Sequence, residues 1–88
     1  MHFRVEVRIV PRKGILDPQG KAVGGALSSL GFASVDAVHV GRHIVLELRA
    51  DSAEAARKDA EAMCRQLLAN PVTEDFSIVV NEAAGSAG

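Results

Sequence analysis

From residue 3 to residue 10 the chain alternates without a break. Phe3, Val5, Val7 and Ile9 fall on one side of an extended backbone and Arg4, Glu6 and Arg8 on the other. Such a run has one stable use, a strand with one face buried and one face turned to water or to another surface. The turn-like Pro11-Arg12-Lys13-Gly14 follows. Asp17-Pro18 then has the form of an N-cap followed by proline at the first helical position, where the missing N–H costs nothing. The helix that starts there carries Val23, Ala26, Leu27 and Leu30 at spacings of three and four, and Gly31 stands where a left-handed C-cap would stop it. Gly20, Gly24 and Gly25 weaken it, each by about 0.5 to 1 kcal/mol relative to alanine, so packing or a close backbone approach must hold it.

Two further apolar alternations, SVDAVHV at 34–40 and RHIVLEL at 42–48, are expected to form a hairpin joined at Gly41-Arg42. Asp51 is placed to cap a second helix, with Glu54 three residues on completing a capping box. Its expected buried stripe is Ala53, Ala56, Ala60, Met63 and Leu67, with Cys64 and Leu68 beside it, and it should end by Asn70 ahead of Pro71. FSIVV at 76–80 reads as a last strand with Phe76, Ile78 and Val80 inward. The order β-α-β-β-α-β predicts an α+β, ferredoxin-like domain over residues 1–82: a four-stranded antiparallel sheet with both helices on one face. Residues 83–88 have no periodicity and read as a flexible tail. The other sheet face should hold Arg4, Glu6, Arg8, His43, Val45, Glu47, Arg49, Ser77 and Val79.

Eighty-eight residues allow one domain of this kind and no second one. A domain of this size buries only roughly 60% of its unfolded surface, which favours pairing with another copy. Ten Lys and Arg against eleven Asp and Glu leave a net charge of -1, with no general attraction to phosphate backbones, so nucleic acid is not expected as a partner. The halves differ mildly: residues 1–49 carry seven basic and four acidic groups, residues 50–88 three and seven. No long apolar run suggests a membrane span. A single cysteine rules out an intrachain disulfide and a thiolate cluster and fits a reducing, cytoplasmic setting.

Catalytic constellations are equally sparse. His2, His39 and His43 show no ligand spacing, although His39 and His43 should sit on the two arms of the hairpin. Cys64 lies on an apolar helix face, where a thiol behaves as a small inert hydrophobe. Gly14 and Gly20 frame a helix start, but no phosphate-loop fingerprint is present and Asp17 would repel an anion. An acylphosphatase-like enzyme on this fold would need an arginine and amide cradle with an asparagine to hold water, and Arg12 and Asn70 lie on different elements. A small-ligand regulatory domain remains an alternative reading of the fold.

Four segments, taken in order, carry a family resemblance: KGILDPQGKAV at 13–23, ALSSLGF at 26–32, VHVGRHIVLEL at 38–48 and MCRQLLANPVTEDFSI at 63–78. They resemble the PurS small-subunit family of phosphoribosylformylglycinamidine synthase, a glutamine-dependent, ATP-consuming ligase complex of purine biosynthesis. The resemblance implies a dimer, or a higher homo-oligomer, that has no active site and joins a large synthetase subunit to a glutaminase subunit. Ammonia from glutamine then converts formylglycinamide ribonucleotide to the amidine. ATP and magnesium are expected in the large subunit and no cofactor in this chain. Carried over by position, Lys13, Gly14, Leu16, Asp17, Pro18, Gln19 and Gly20, then Gly41 and Arg42, then Asn70 and Pro71, are candidates for partner docking or for defining the fold. Where the family commonly reads Val-Ile-Glu-Asp-Tyr, this chain has Val72-Thr73-Glu74-Asp75-Phe76.

Overall fold

The alternation at the N-terminus becomes the central strand of the molecule. In the computed structural model, which describes residues 1–14 and 17–82, β1 (His2–Pro11) buries Phe3, Val5, Val7 and Ile9 almost completely. After β1 come α1 (Pro18–Ser29), β2 (Arg42–Arg49), α2 (Ala53–Met63) and β3 (Glu74–Glu82). Both neighbours pair antiparallel with β1, giving the order β2-β1-β3. On the inner face Val7 lies between Ile44 and Ile78, and Val5 between Leu46 and Val80. On the outer face Arg4 sits opposite Glu47 and Asn81, and Arg8 opposite His43 and Ser77, which is the polar face expected from period two.

Among the described residues the sheet has three strands, not the four expected. Residues 34–40 form no strand, so the expected hairpin is absent and His39 is on no strand. The reason is local competition for the segment's backbone. Val40 donates its N–H to the Asp17 carboxylate at 2.9 Å, and the Val38 carbonyl lies against the bare Cα of Gly20. Alternation records only that a segment could lie half-buried in a sheet, and the start of α1 takes these groups first.

Helix α1 begins as expected at Asp17-Pro18 and ends in a Schellman motif. Phe32 N–H reaches the Leu27 carbonyl at 3.0 Å, Gly31 N–H reaches Ser28 at 3.0 Å, and Gly31 takes φ 98°. Its apolar stripe is nonetheless exposed: Leu30 is 72% accessible and Val23 42%. Gly20 is its only buried residue. The expectation of both helices packed on one sheet face therefore holds for α2, which lies on β3 and β1, while α1 packs closely on no strand.

Helix α2 starts one residue later than expected. Ser52, not Asp51, is the N-cap, its hydroxyl accepting from Ala55 N–H at 3.1 Å, so Glu54 falls one position short of the reciprocal capping box. Its buried line is Ala56, Ala60 and Cys64, while Met63 and Leu67 are exposed at 39% and 82%. A line spaced by four suits close packing of small side chains on a sheet. Past Met63 the helix widens into a π-helical turn, Cys64–Leu68, closed by Ala69 N–H on the Cys64 carbonyl at 3.0 Å. That extra residue per turn carries Leu67 into solvent and brings Ala69 into the core. The whole is thin and long, 49 × 30 × 15 Å.

Candidate functional site

Antiparallel pairing gathers the C-terminal end of β1 and the N-terminal ends of β2 and β3 at one end of the sheet, with Ile9 opposite Arg42 and Pro11 opposite Glu74. The candidate residues meet there. Lys13 and Gly14 form the turn after β1, Asp17 to Gly20 start α1, Gly41 and Arg42 lead into β2, and Asn70 and Pro71 precede β3. Leu16 lies outside the described residues, as does the tail at 83–88. Three separate sequence segments are thereby brought to one edge.

Two arginines lock that edge. Arg42 forms a two-pronged pair with Glu74, at 3.0 and 2.9 Å, and also donates to the Leu68 carbonyl at 2.7 Å. Asn70 N–H donates to the same carboxylate at 2.8 Å, and the Asn70 side chain accepts from Val72 N–H at 2.9 Å. The Arg42 guanidinium, then the Asn70 amide, holds the Glu74 carboxyl below its ordinary range. Arg12 donates to the carbonyls of Pro71, at 2.9 Å, and Glu74, at 3.2 Å, and pairs with Asp75 at 3.2 Å. The sequence reading missed Glu74 and the structural role of Arg12. The signal was a charge pattern spread over sixty residues, which no local period reveals.

Asp17 anchors the second half of the site. One carboxylate oxygen accepts from Gly20 N–H at 3.0 Å, and the other from Val40 N–H at 2.9 Å. Those two amides, then the nearby charge of His39, keep its carboxyl below the ordinary carboxylate value. Asp17 thus caps α1 and ties the helix start to the segment leading into β2. Gly20 and Gly41 are required by proximity, because a Cβ at either would run into the carbonyl of Val38 or of Ile9. Between α1 and 35–39 lies an open concavity of about 410 Å³, with Lys21, Asp36 and His39 on its walls.

The polar groups of this arrangement are engaged in holding its segments together. Arg12 and Asn70 do come close, against the expectation from their separate elements, but the guanidinium is spent on backbone carbonyls and Asp75. His43 meets Glu6 at 3.1 Å on the outer sheet face and has Arg8 as its cross-strand neighbour, while His39 lies on no strand. Cys64 is fully buried, and burial pushes its thiol up, away from the reactive thiolate. Among the described residues no group of three or more His, Cys, Asp or Glu is placed to hold a metal ion. No helix among them is long and apolar enough to cross a membrane.

The chain matches the PurS family model, described as phosphoribosylformylglycinamidine (FGAM) synthase, over residues 4–82. It is 39% identical to the phosphoribosylformylglycinamidine synthase subunit PurS of Methanothermobacter thermautotrophicus, over 97% of this chain and 100% of that one. Among solved structures it is similar to PurS of Methanocaldococcus jannaschii, described as one of the subunits of formylglycinamide ribonucleotide amidotransferase in the purine biosynthetic pathway. The TM-score is 0.80 at 35% identity, covering 91% of this chain and 96% of that one. It is also similar to a chain of the PurLQS structure from Thermotoga maritima, with a TM-score of 0.83 at 26% identity, covering 92% and 99%.

Proposed function

Because the chain belongs to the PurS family of phosphoribosylformylglycinamidine synthase subunits, we propose that it works as an adaptor, a pair of copies joining the glutaminase subunit to the ATP-dependent synthetase subunit. The chain is a small non-catalytic subunit of the synthase in purine biosynthesis. Glutamine hydrolysis and ATP use, with its magnesium, belong to the larger subunits, in the cytoplasm. Holding their two sites in register makes physical sense, because ammonia released to water is lost or protonated before it reaches the formylglycinamide ribonucleotide.

The observation that carries the docking assignment is the convergence of Lys13, Gly14, Asp17, Pro18, Gln19, Gly20, Gly41, Arg42, Asn70 and Pro71 at one end of the sheet. Residues drawn from three distant segments share an edge that Arg12 and Arg42 keep rigid, which suits a surface that a partner must recognise. Residues 1–82 act as one unit, and Leu16 is a docking candidate on the family resemblance alone. Mixing the chain with the glutaminase and synthetase subunits is expected to give a complex of higher mass and glutamine-dependent activity. Full glutamine-dependent activity of those two without this chain would end the proposal. The concavity between α1 and 35–39 favours a second reading, a small-ligand regulatory domain. That reading requires saturable binding of a metabolite by the isolated chain, where the adaptor requires none.

A further inference from the structure

We propose that Leu67, with Val72 five residues on, is an apolar knob that enters a pocket on one of the larger synthase subunits, a pocket with apolar walls and a rim of carboxylates. This rests on the adaptor reading and names what the partner grips.

Leu67 is the most exposed large apolar side chain among the described residues, at 82%, and Val72 follows at 72%. A leucine three residues after Cys64 on an α-helix would lie beside the buried line of Ala56, Ala60 and Cys64. The π-turn at Cys64–Leu68 puts it outside instead, and turns of this kind are rare and concentrate at functional sites.

The turn is held in place by the lock at the end of the sheet. Arg42 donates to the Leu68 carbonyl at 2.7 Å, which fixes the last residue of the turn to the start of β2. Glu74 accepts from Asn70 N–H at 2.8 Å, and Arg12 donates to the Pro71 carbonyl at 2.9 Å. The backbone between the two apolar side chains is thus fastened at three points. A knob on so rigid a base loses little freedom when it docks. Because the polar groups of the lock face one another, the contact they leave for a partner is apolar.

The charge around the knob says what kind of partner fits. Arg12 and Arg42 are paired with Asp75 and Glu74. Lys13 and Arg65 are exposed, and among the described residues neither forms an ion pair, so the charge left over beside the knob is positive. A second copy brought against this surface by a two-fold axis would set Lys13 and Arg65 near their own like, which opposes pairing here. Residues 83–88 do not reach it either. They follow Glu82, which pairs with Phe3, whereas the lock lies where Pro11 pairs with Glu74, about 26 Å along β1, and six extended residues span about 20 Å. A different chain that offers carboxylates around an apolar pocket satisfies both the knob and its cations.

The test uses the full chain carrying Leu67→Asp, and separately Val72→Asp, Leu67→Met and Arg65→Glu, each titrated against the isolated glutaminase subunit, the isolated synthetase subunit and the two together. Leu67→Asp and Val72→Asp are each expected to weaken binding to at least one larger subunit by about tenfold or more. Leu67→Met, which keeps the volume and the apolar character, is expected to bind like the parent. Arg65→Glu is expected to slow association and to flatten its dependence on salt.

Urea midpoints of the two aspartate variants are expected to match the parent, since both sites are exposed in the single chain. A midpoint that falls for Leu67→Asp places that side chain in the fold's own core and overturns the knob. A changed sedimentation mass of the Leu67→Asp chain alone also overturns it, assigning the side chain to a contact between copies. Parent-like binding of both aspartate variants overturns the knob and leaves the adaptor standing, whereas a parent chain that binds neither larger subunit overturns the adaptor reading as well. Unchanged association and salt dependence in Arg65→Glu overturn the carboxylate rim.

Discussion

Glu74 shows how one side chain can fasten a whole edge. Its carboxylate receives two prongs from Arg42 and the Asn70 amide, and its own N–H goes to the Asn70 carbonyl at 2.8 Å. Arg42→Ala is expected to cost about 1 kcal/mol, a modest figure because the arginine is half exposed. That corresponds to a fall of about 4 to 8 °C in the thermal midpoint of a chain this size. Acid should act on the same contact. The folded-state pKa values of Glu74 and Asp17 lie below their ordinary 4.5 and 3.8, so the unfolded chain binds more protons in the window beneath those values. Stability is therefore fully present above that window and lost as pH falls through the depressed folded values. Urea midpoints measured from pH 6 downward are expected to drop there, and Glu74→Gln should remove part of the drop; an unchanged acid profile would show that the carboxylate does not stabilise the fold.

At the scale of elements, β1, β2, β3 and the start and stop of α1 were legible because each is written in neighbouring residues: period two in the strands, Asp17-Pro18 at one helix end, Gly31 at the other. The register of α2 was not, since Ala, Met and Leu satisfy either of two adjacent stripes until the π-turn at Cys64–Leu68 selects one. Nor was the fate of 34–40, which alternates like a strand but gives Val40 N–H to Asp17. The candidate site was legible as separate loops and not as a place, because only the pairing of β1 with β2 and β3, with the Asp17–Val40 contact, brings 13–14, 17–20, 41–42 and 70–71 together. Gly20→Ala is expected to push the Val38 carbonyl away from α1 and break the Asp17 clamp. The observable is loss of hydrogen-exchange protection at Val40 with β1 amides unchanged, and retained protection at Val40 would show that the clamp does not need the glycine.

On the scale of the molecule, one layer of small side chains from α2 covers a sheet whose deepest residues are nearly all on β1. With so few fully buried side chains, small volume changes matter. Ile9→Val is expected to cost about 0.5 to 1.5 kcal/mol and Ile9→Ala about 2 to 5, against a total for a chain this small of only a few kcal/mol. Urea melts of both variants check this, and an Ile9→Ala chain as stable as the parent would mean that the core lies elsewhere, in contacts made between copies. The central position of β1 also bears on how the protein is made. Its two ladder partners are encoded after it, β2 from residue 42 and β3 from residue 74. At about 5 to 20 residues per second on the ribosome, the greasy face of Phe3, Val5, Val7 and Ile9 emerges roughly 3 to 13 seconds before the last strand exists to close over it. The nascent chain passes through a window in which its own future core is a target for chaperones.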